Sequence, residues 1–184
     1  MTKKWGTIRV CVDYHDINRS YPKVKCPTPF IDQLIDECAG SEIYSFMDGL
    51  SSYNHINISH ADQHKTTFIC LCGTFTYKKI PFGLKNCSGT FQCTMSYAFH
   101  DIQRIVQPYL DDLPAHSVKF NDHPNHLREI FLRYQHYCIH INPHKCVFCM
   151  ESRRLLRFFI SKEGICLDPL KFEAILNLAP PASL

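Results

Sequence analysis

Three aspartates, Asp48, Asp111 and Asp112, are the residues of this sequence whose type and spacing best suit chemistry. Asp111 and Asp112 are adjacent and follow Tyr109 and Leu110, and Asp48 ends an apolar run much earlier in the chain. Carboxylate oxygens are the ligands that Mg²⁺ prefers in proteins, and bound Mg²⁺ can promote reactions at phosphorus. Adjacent aspartates are also common in solvated turns, where they only cap or bend the backbone. The metal interpretation therefore depends on the elements that would bring Asp48 to the Asp111–Asp112 pair.

The segments around these aspartates have the patterns of strands. An apolar run over 42–48 predicts a buried strand that delivers Asp48 at its carboxyl end, and 105–117 has the pattern of a hairpin whose tip is 110–112. A short strand is predicted over 8–13, followed by a loop over 18–29 that contains three prolines. Two further hairpins are predicted, one around Cys72 and Gly73 and one around 162–164.

Helices are predicted between these strands from apolar residues at helical spacing. The first has Phe30, Leu34, Ile35 and Cys38 on one face and ends at Gly40. The second begins at Asn86 and carries the stripe Phe91, Met95, Ala98, Phe99 and Ile102. The third is capped by Asn121 or Asp122 and contains Leu127, Ile130, Phe131 and Tyr134. Asp168 and Pro169 have the pattern of an N-cap and first residue of a fourth helix. This order predicts an α+β fold, an antiparallel sheet with helices packed on one face.

Composition sets broad limits on the kind of protein. The chain has 184 residues, of which 45% are hydrophobic and 20% charged, enough for one domain or two lobes that share a core. The formal charge of +3 permits a polyanionic partner without requiring one. The sequence has neither an apolar leader at its start nor a run of 18 apolar residues, so we expect no membrane span.

The 11 cysteines are expected to be mostly reduced residues of an intracellular protein. Cys146 and Cys149 form one Cys-x-x-Cys pair, with His140 and His144 nearby. A structural zinc site would need a second well-spaced pair, and the intervening Val147 and Phe148 favour a strand interior instead.

Five blocks of sequence, in order, resemble the reverse transcriptase of gypsy-type LTR retrotransposons. They are 9–14 with Asn18, 44–48 with Tyr53, 80–86 with 90–92, Tyr-Leu-Asp-Asp at 109–112, and 141–143 with Lys145, Cys146 and 163–165. The resemblance extends over about 3–180, essentially the whole chain.

This resemblance implies a right-hand polymerase, with fingers and palm over 1–167 and the start of a truncated thumb over 168–184. It implies an RNA-directed DNA polymerase that uses two Mg²⁺ ions, or Mn²⁺, to add dNTPs to a primer on an RNA or DNA template. The parent polyprotein would also carry ribonuclease H, protease and integrase regions. The expected location is intracellular, in the cytoplasm or a retrotransposon particle, or in the nucleus, with no membrane association.

The resemblance also assigns roles to individual residues. The catalytic residues and metal ligands would be Asp48, Asp111 and Asp112. The nucleotide contacts would be Lys4, Arg9, Tyr53, Phe82 and Lys145. The template or primer contacts would be Asn86, Thr90, Gln92 and Arg157. Tyr53 would exclude a 2′-hydroxyl, and Lys145 would lie near the pyrophosphate as a proton donor. Without the resemblance, a core residue would be the favoured interpretation of Tyr53.

Departures from the family pattern leave a second interpretation open. Pro108 and Pro114 flank the catalytic tip and would weaken strand pairing, and Arg157 replaces a glycine of the primer-gripping segment. The alternative to an active polymerase is therefore a catalytically dead remnant, or a co-opted module that binds nucleic acid or protein. A ribonuclease H or integrase-like nuclease is rejected, because the carboxylate pattern of such enzymes is not found in these residues.

Overall fold

The computed structural model describes residues 12–27, 29–49, 52–155, 158–167 and 169–178. The helices are α1 His15–Ser20, α2 Ile31–Cys38, α3 His60–Gln63, α4 Cys87–Ala98, α5 His123–His136 and α6 Pro169–Leu176. The strands are β1 Ile43–Asp48, β2 Phe68–Cys70, β3 Gly73–Phe75, β4 Asp112–Ser117, β5 Val147–Met150, β6 Ser152–Leu155, β7 Phe158–Ser161 and β8 Gly164–Leu167. The predicted contacts Lys4, Arg9 and Arg157, the predicted cap Asp168 and nearly all of the predicted 8–13 strand lie outside the described residues.

The central sheet has the order β4-β1-β5 and is antiparallel. The β1–β4 register runs without interruption from Ile43 opposite Ser117 to Asp48 opposite Asp112. A three-stranded antiparallel sheet, β6-β7-β8, and the separate β2–β3 hairpin complete the strands. The predicted hairpins around Cys72 and Gly73 and around 162–164 are both confirmed.

Side chains that alternate along β1 enter two different cores. Met47 joins the core formed with α4 and α5, which includes Phe91, Met95, Leu113 and Ile130. Tyr44 joins the second core, which combines α2 with residues of β6 and β7. The two long helices thus pack on one face of the sheet, as predicted, and α2 covers the other.

Helix boundaries differ from the prediction at α1, α2 and α4. The α4 helix ends at Ala98, so Phe99 is its C-cap and Ile102 lies beyond it, although both are buried in the same core. Phe30 caps α2 and is 79% exposed, so it does not share the buried face of Leu34 and Ile35. Asn18 lies inside α1 and not in a loop. Its side chain donates to the Gly83 carbonyl at 2.8 Å and accepts from the Lys85 N–H at 2.7 Å, long-range contacts that a local pattern does not reveal.

The cysteines include one pair that the sequence pattern did not predict. Cys26 and Cys93 form a disulfide that joins the segment before α2 to α4, with 6.1 Å between the Cα atoms. Eight other cysteines in the described ranges are free thiols, and Cys149 lies in β5 as the strand interpretation of its motif required. Within the part of the chain that the structure describes, no helix combines the length and apolar composition needed to cross a bilayer.

Buried histidines tie the central sheet to α5. His123 is 1% exposed, and its two ring nitrogens lie 2.7 Å from the hydroxyls of Ser45 on β1 and Ser117 on β4. His116, also buried, lies 3.6 Å from the Cys38 sulfur on α2. Burial, reinforced by His126 and His123, lowers the pKa of His116 to about 4. The fold therefore needs His116 in its neutral form.

We expect the free energy of unfolding to fall as pH drops from about 6.5 towards 4. The unfolded chain binds a proton at His116 across this window and the folded chain does not, which removes up to about 3 kcal/mol. Urea midpoints at pH 7 and pH 5 measure the loss. His116→Asn should reduce the difference, and the same change at exposed His60 should leave it intact; an unchanged difference in His116→Asn would contradict this assignment.

Candidate active site

Two of the three predicted aspartates meet at one end of the central sheet. Asp48 is the last residue of β1 and Asp112 the first of β4, and the two are direct register partners. The backbone continues this pairing, because the Gly49 N–H donates to the Asp111 carbonyl at 3.2 Å. A third segment joins them where the Asn142 N–H donates to the Asp48 carbonyl at 2.8 Å. The strand that ends in Asp48 and the hairpin that carries Asp112 are therefore brought together as predicted.

A cleft of about 450 Å³ opens beside this carboxylate pair. Its polar lining consists of Asp48, Asp112, His144, Lys145 and Arg154. The Lys145 Nζ lies 3.1 and 3.0 Å from the two carboxylate oxygens of Asp48, so the ammonium group donates to both oxygens of this carboxylate. The sequence analysis considered His144 only as a neighbour of the Cys146–Cys149 pair and did not single out Arg154, because the fold and not a local motif brings both residues to the cleft.

The tip of the 105–117 hairpin is a two-residue turn. The Tyr109 and Asp112 backbones exchange hydrogen bonds of 2.9 and 3.0 Å, which leaves Leu110 and Asp111 as the loop residues. Leu110 has φ +52°, a conformation that residues with a Cβ rarely adopt. This turn sets the direction in which both aspartates point.

The two prolines beside the tip do not break the pairing of β1 with β4. Pro114 lies opposite Phe46 in an uninterrupted register. Its carbonyl accepts from the Gln107 N–H at 3.0 Å, and because the N and O of one strand residue point to the same side, its missing donor faces the 105–109 segment. That segment makes only isolated bridges to β4, at Val106 and Tyr109. The prolines therefore weaken the pairing of residues 105–109 with β4 and leave the pairing of β4 with β1 intact.

Negative charge is concentrated at the tip. Desolvation, together with the carboxylates of Asp48 and Asp111, raises the pKa of Asp112, and Lys145 opposes this shift. The Oδ1 atom of Asp111 is buried and has no hydrogen-bond partner among the residues that the structure describes. A buried acceptor without a donor is costly, and a cation is one kind of group that would satisfy it.

The described residues do not contain a preassembled group of three His, Cys, Asp or Glu side chains that could hold one metal ion. The chemistry of the donors nevertheless fits a hard divalent cation, because Asp48, Asp111 and Asp112 offer only carboxylate oxygens. The orphaned Asp111 oxygen fits the same ligand. The cation that Asp48 holds in this structure is the Lys145 ammonium group.

A group of packed aromatic rings lies near Asp111. Tyr53 packs edge-on against Phe82 and Phe91, with ring centroids 5.0 and 5.6 Å apart, and its hydroxyl lies 3.2 Å from the Ser88 hydroxyl. Burial, with a contribution from the charge of Asp111, raises the pKa of Tyr53. Phe82 remains 46% exposed. Tyr53 is thus a packed tyrosine, as the core interpretation expected, and it lies near enough to Asp111 to be influenced by its charge. Its contact with a nucleotide stays a prediction.

The residues predicted to contact template or primer have different surroundings. The Asn86 side chain is occupied within the protein, donating to the Pro22 carbonyl and accepting from the Val24 N–H, each at 2.9 Å. Thr90 lines a separate cleft with Tyr21 and Lys65. Gln92 is completely buried, which does not fit the predicted direct contact with nucleic acid.

Comparison with known proteins supports the resemblance found in the sequence. Residues 1–163 match the family described as reverse transcriptase (RNA-dependent DNA polymerase). The Transposon Tf2-3 polyprotein of Schizosaccharomyces pombe is 30% identical over 180 residues, which cover 97% of this chain and 14% of that protein. The Tf2-7 polyprotein of the same organism is 29% identical over the same length. The chain thus spans about one seventh of the length of these relatives.

Solved structures show the same fold. A foamy viral protease-reverse transcriptase in complex with double-stranded DNA superposes with a TM-score of 0.86 at 18% identity, covering 98% of this chain and 32% of that one. The corresponding complex with an RNA/DNA hybrid gives 0.79 at 18% identity, covering 92% and 23%. The predicted α+β fingers-and-palm architecture is therefore confirmed. With its paired aspartates at the sheet end and a family match over most of its length, the chain belongs to the reverse transcriptase family.

Proposed function

We propose that this chain is the fingers and palm of an RNA-directed DNA polymerase that adds dNTPs to a primer 3′-hydroxyl on an RNA or DNA template. The observation that carries the proposal is the register pairing of Asp48 with Asp112 at the mouth of a cleft, with Asp111 in the adjoining turn. Membership of the reverse transcriptase family supports the same reaction. The uninterrupted β1–β4 pairing weakens the argument for a dead remnant that was drawn from Pro114. The argument drawn from Arg157 stands, because Arg157 lies outside the described residues.

The partners follow from the relatives as a proposal for this chain. Two similar solved structures are described as complexes with double-stranded DNA and with an RNA/DNA hybrid. The sequence relatives are polyproteins several times longer than this chain. We infer that the parent protein places ribonuclease H, protease and integrase regions beside this one, and that 168–184 begins its thumb. Its place of action would be inside the cell, in the cytoplasm, the nucleus or a retrotransposon particle.

The residues in and around the cleft would have different roles in nucleotidyl transfer. Asp48 and Asp111, with Asp112 beside them, would hold Mg²⁺ or Mn²⁺, which supplies charge neutralisation for the attacking and leaving oxygens. Lys145 would release Asp48 and donate a proton towards the leaving pyrophosphate. Tyr53 and Phe82 would form the floor beneath the sugar and base, and Lys4 and Arg9 would bind the triphosphate. Asn86, Thr90 and Arg157 would lie along the template and primer.

Primer extension on an RNA template with dNTPs and Mg²⁺ tests the reaction directly. Asp48→Asn and Asp111→Asn should each reduce extension about a hundredfold or more, because each removes a charge at the reacting phosphate. Asp122→Asn is the matched control, since Asp122 is exposed at the start of α5, makes no side-chain cap bond, and asparagine caps a helix equally well. A folded wild-type chain that extends no primer would instead favour the non-catalytic remnant.

Lys145 and a divalent cation should compete for Asp48. Lys145→Ala should lower the dissociation constant for Mn²⁺ by about two- to fivefold, the range expected for loss of an exposed ion pair. Electron paramagnetic resonance of free Mn²⁺ measures this without requiring turnover. Lys162→Ala is the control, because Lys162 is equally exposed and forms a similar 2.9 Å pair with Glu42, away from the cleft. Unchanged or weaker Mn²⁺ binding in Lys145→Ala would show that the ion does not use Asp48.

Tyr53 should determine the preference for deoxyribonucleotides. Tyr53→Ala opens space beside the sugar, so the ratio of kcat/KM for dNTP over rNTP should fall by about tenfold. Tyr53→Phe keeps the ring and its contacts with Phe82 and Phe91 and should retain the ratio. Equal ratios in the alanine and phenylalanine variants would assign Tyr53 to packing alone.

A further inference from the structure

The Gln92 side chain links α4 to the catalytic turn through its amide. Its Oε1 accepts from the Leu110 N–H at 2.7 Å, and its Nε2 donates to the Pro108 carbonyl at 2.9 Å. The same nitrogen also donates to the Ser96 hydroxyl at 3.2 Å. Gln92 is 0% exposed, so all of these bonds are made without competition from water.

The turn needs an external constraint because its own backbone does not determine it. Leu110 has φ +52° without being glycine, and such residues persist only where the surroundings hold them. Pro108 has no N–H, and the 105–109 arm pairs with β4 only through isolated bridges. The two Gln92 bonds lie on either side of Tyr109, at the points where strand pairing is weakest.

An uncharged amide suits both bonds at this position. The Pro108 carbonyl requires a donor and the Leu110 N–H requires an acceptor, and the glutamine side chain offers one of each. An aliphatic side chain of equal length would fill the space but leave two buried backbone groups without partners. The requirement is therefore for hydrogen-bond geometry and not only for volume.

We propose that Gln92 is a positioning residue: its buried amide holds the Leu110–Asp111 turn in shape and so aims Asp111 and Asp112 into the cleft. It acts through the turn and not by touching template or primer. The link to catalysis rests on the proposed polymerase function. The two hydrogen bonds from Gln92 to Pro108 and Leu110, called the clamp below, can be tested without activity.

Hydrogen exchange at the Leu110 amide tests the clamp. In the wild-type chain this amide should be protected as well as the paired amides of β4, although it lies in a turn. Gln92→Met, which keeps the length of the side chain, should accelerate its exchange about tenfold or more. Ser96→Ala is the matched control, since it removes a Gln92 partner and leaves both hairpin bonds in place. An unprotected Leu110 amide in the wild-type chain would overturn the proposal without any variant.

A double-mutant cycle separates the clamp from simple packing. Leu110→Gly removes the conformational penalty of the turn, so Gln92→Met should shift the urea midpoint less in this background than in the wild-type chain. Equal shifts in the two backgrounds would mean that Gln92 only fills space, and would overturn the proposal.

Kinetics connect the clamp to function. Gln92→Met should lower kcat for primer extension about tenfold and leave KM for the template-primer unchanged, because the residue does not contact nucleic acid. A raised KM with unchanged kcat would overturn the positioning role in favour of direct contact. If the wild-type chain shows no extension, the proposed function fails, while hydrogen exchange and the double-mutant cycle still decide the clamp.

Discussion

The antiparallel register between β1 and β4 is the constraint on which the rest of the structure depends. It places Asp48 opposite Asp112, and the same register directs Met47 and Leu113 into the core beneath α4 and α5. Because side chains alternate along a strand, a slip of one residue would move Met47 out of this core and also separate the carboxylates. Burial of Met47 and Leu113 thus stabilises the same register that aligns Asp48 with Asp112.

The site combines a rigid part with a part that depends on side chains from elsewhere. Asp48 and Asp112 end and begin regular strands, whose backbone is fixed by the sheet. Asp111 lies in a turn that is supported by Gln92 on α4, and the charge of Asp48 is balanced by Lys145 from the segment before β5. The carboxylates therefore have different surroundings: Asp48 is paired with Lys145, and one oxygen of Asp111 is buried without a donor among the described residues. A cleft in this state has an excess of acceptors, which is the condition under which a divalent cation binds well.

Much of this arrangement could be predicted from sequence, and the exceptions have physical causes. Apolar periodicity located β1, α4 and α5, because burial of one face is a local pattern. The hairpin tip at 109–112 followed from strand signals on both sides of it. Gln92 was predicted to contact template or primer on the family resemblance alone. Its burial could not be predicted, because it depends on a hairpin formed by residues later in the chain. Helical Asn18 and the partners of Asn86 were missed for the same reason: each is determined by contacts more than 60 positions away.

The separation of Lys145 from Asp48 by 97 positions has a consequence for how the site is made on the ribosome. β1 and the 105–117 hairpin can pair as soon as Ser117 has emerged, since both strands and α4 are then available. At that moment Lys145 has not emerged from the ribosome, so the carboxylates can come together before the lysine that neutralises Asp48 is able to reach them. Domains fold from the N-terminus during synthesis at about 5–20 residues per second, so this interval lasts a second or more. The nascent chain therefore passes through a stage in which ions from the surrounding solution must neutralise the charge of Asp48, as Lys145 later does.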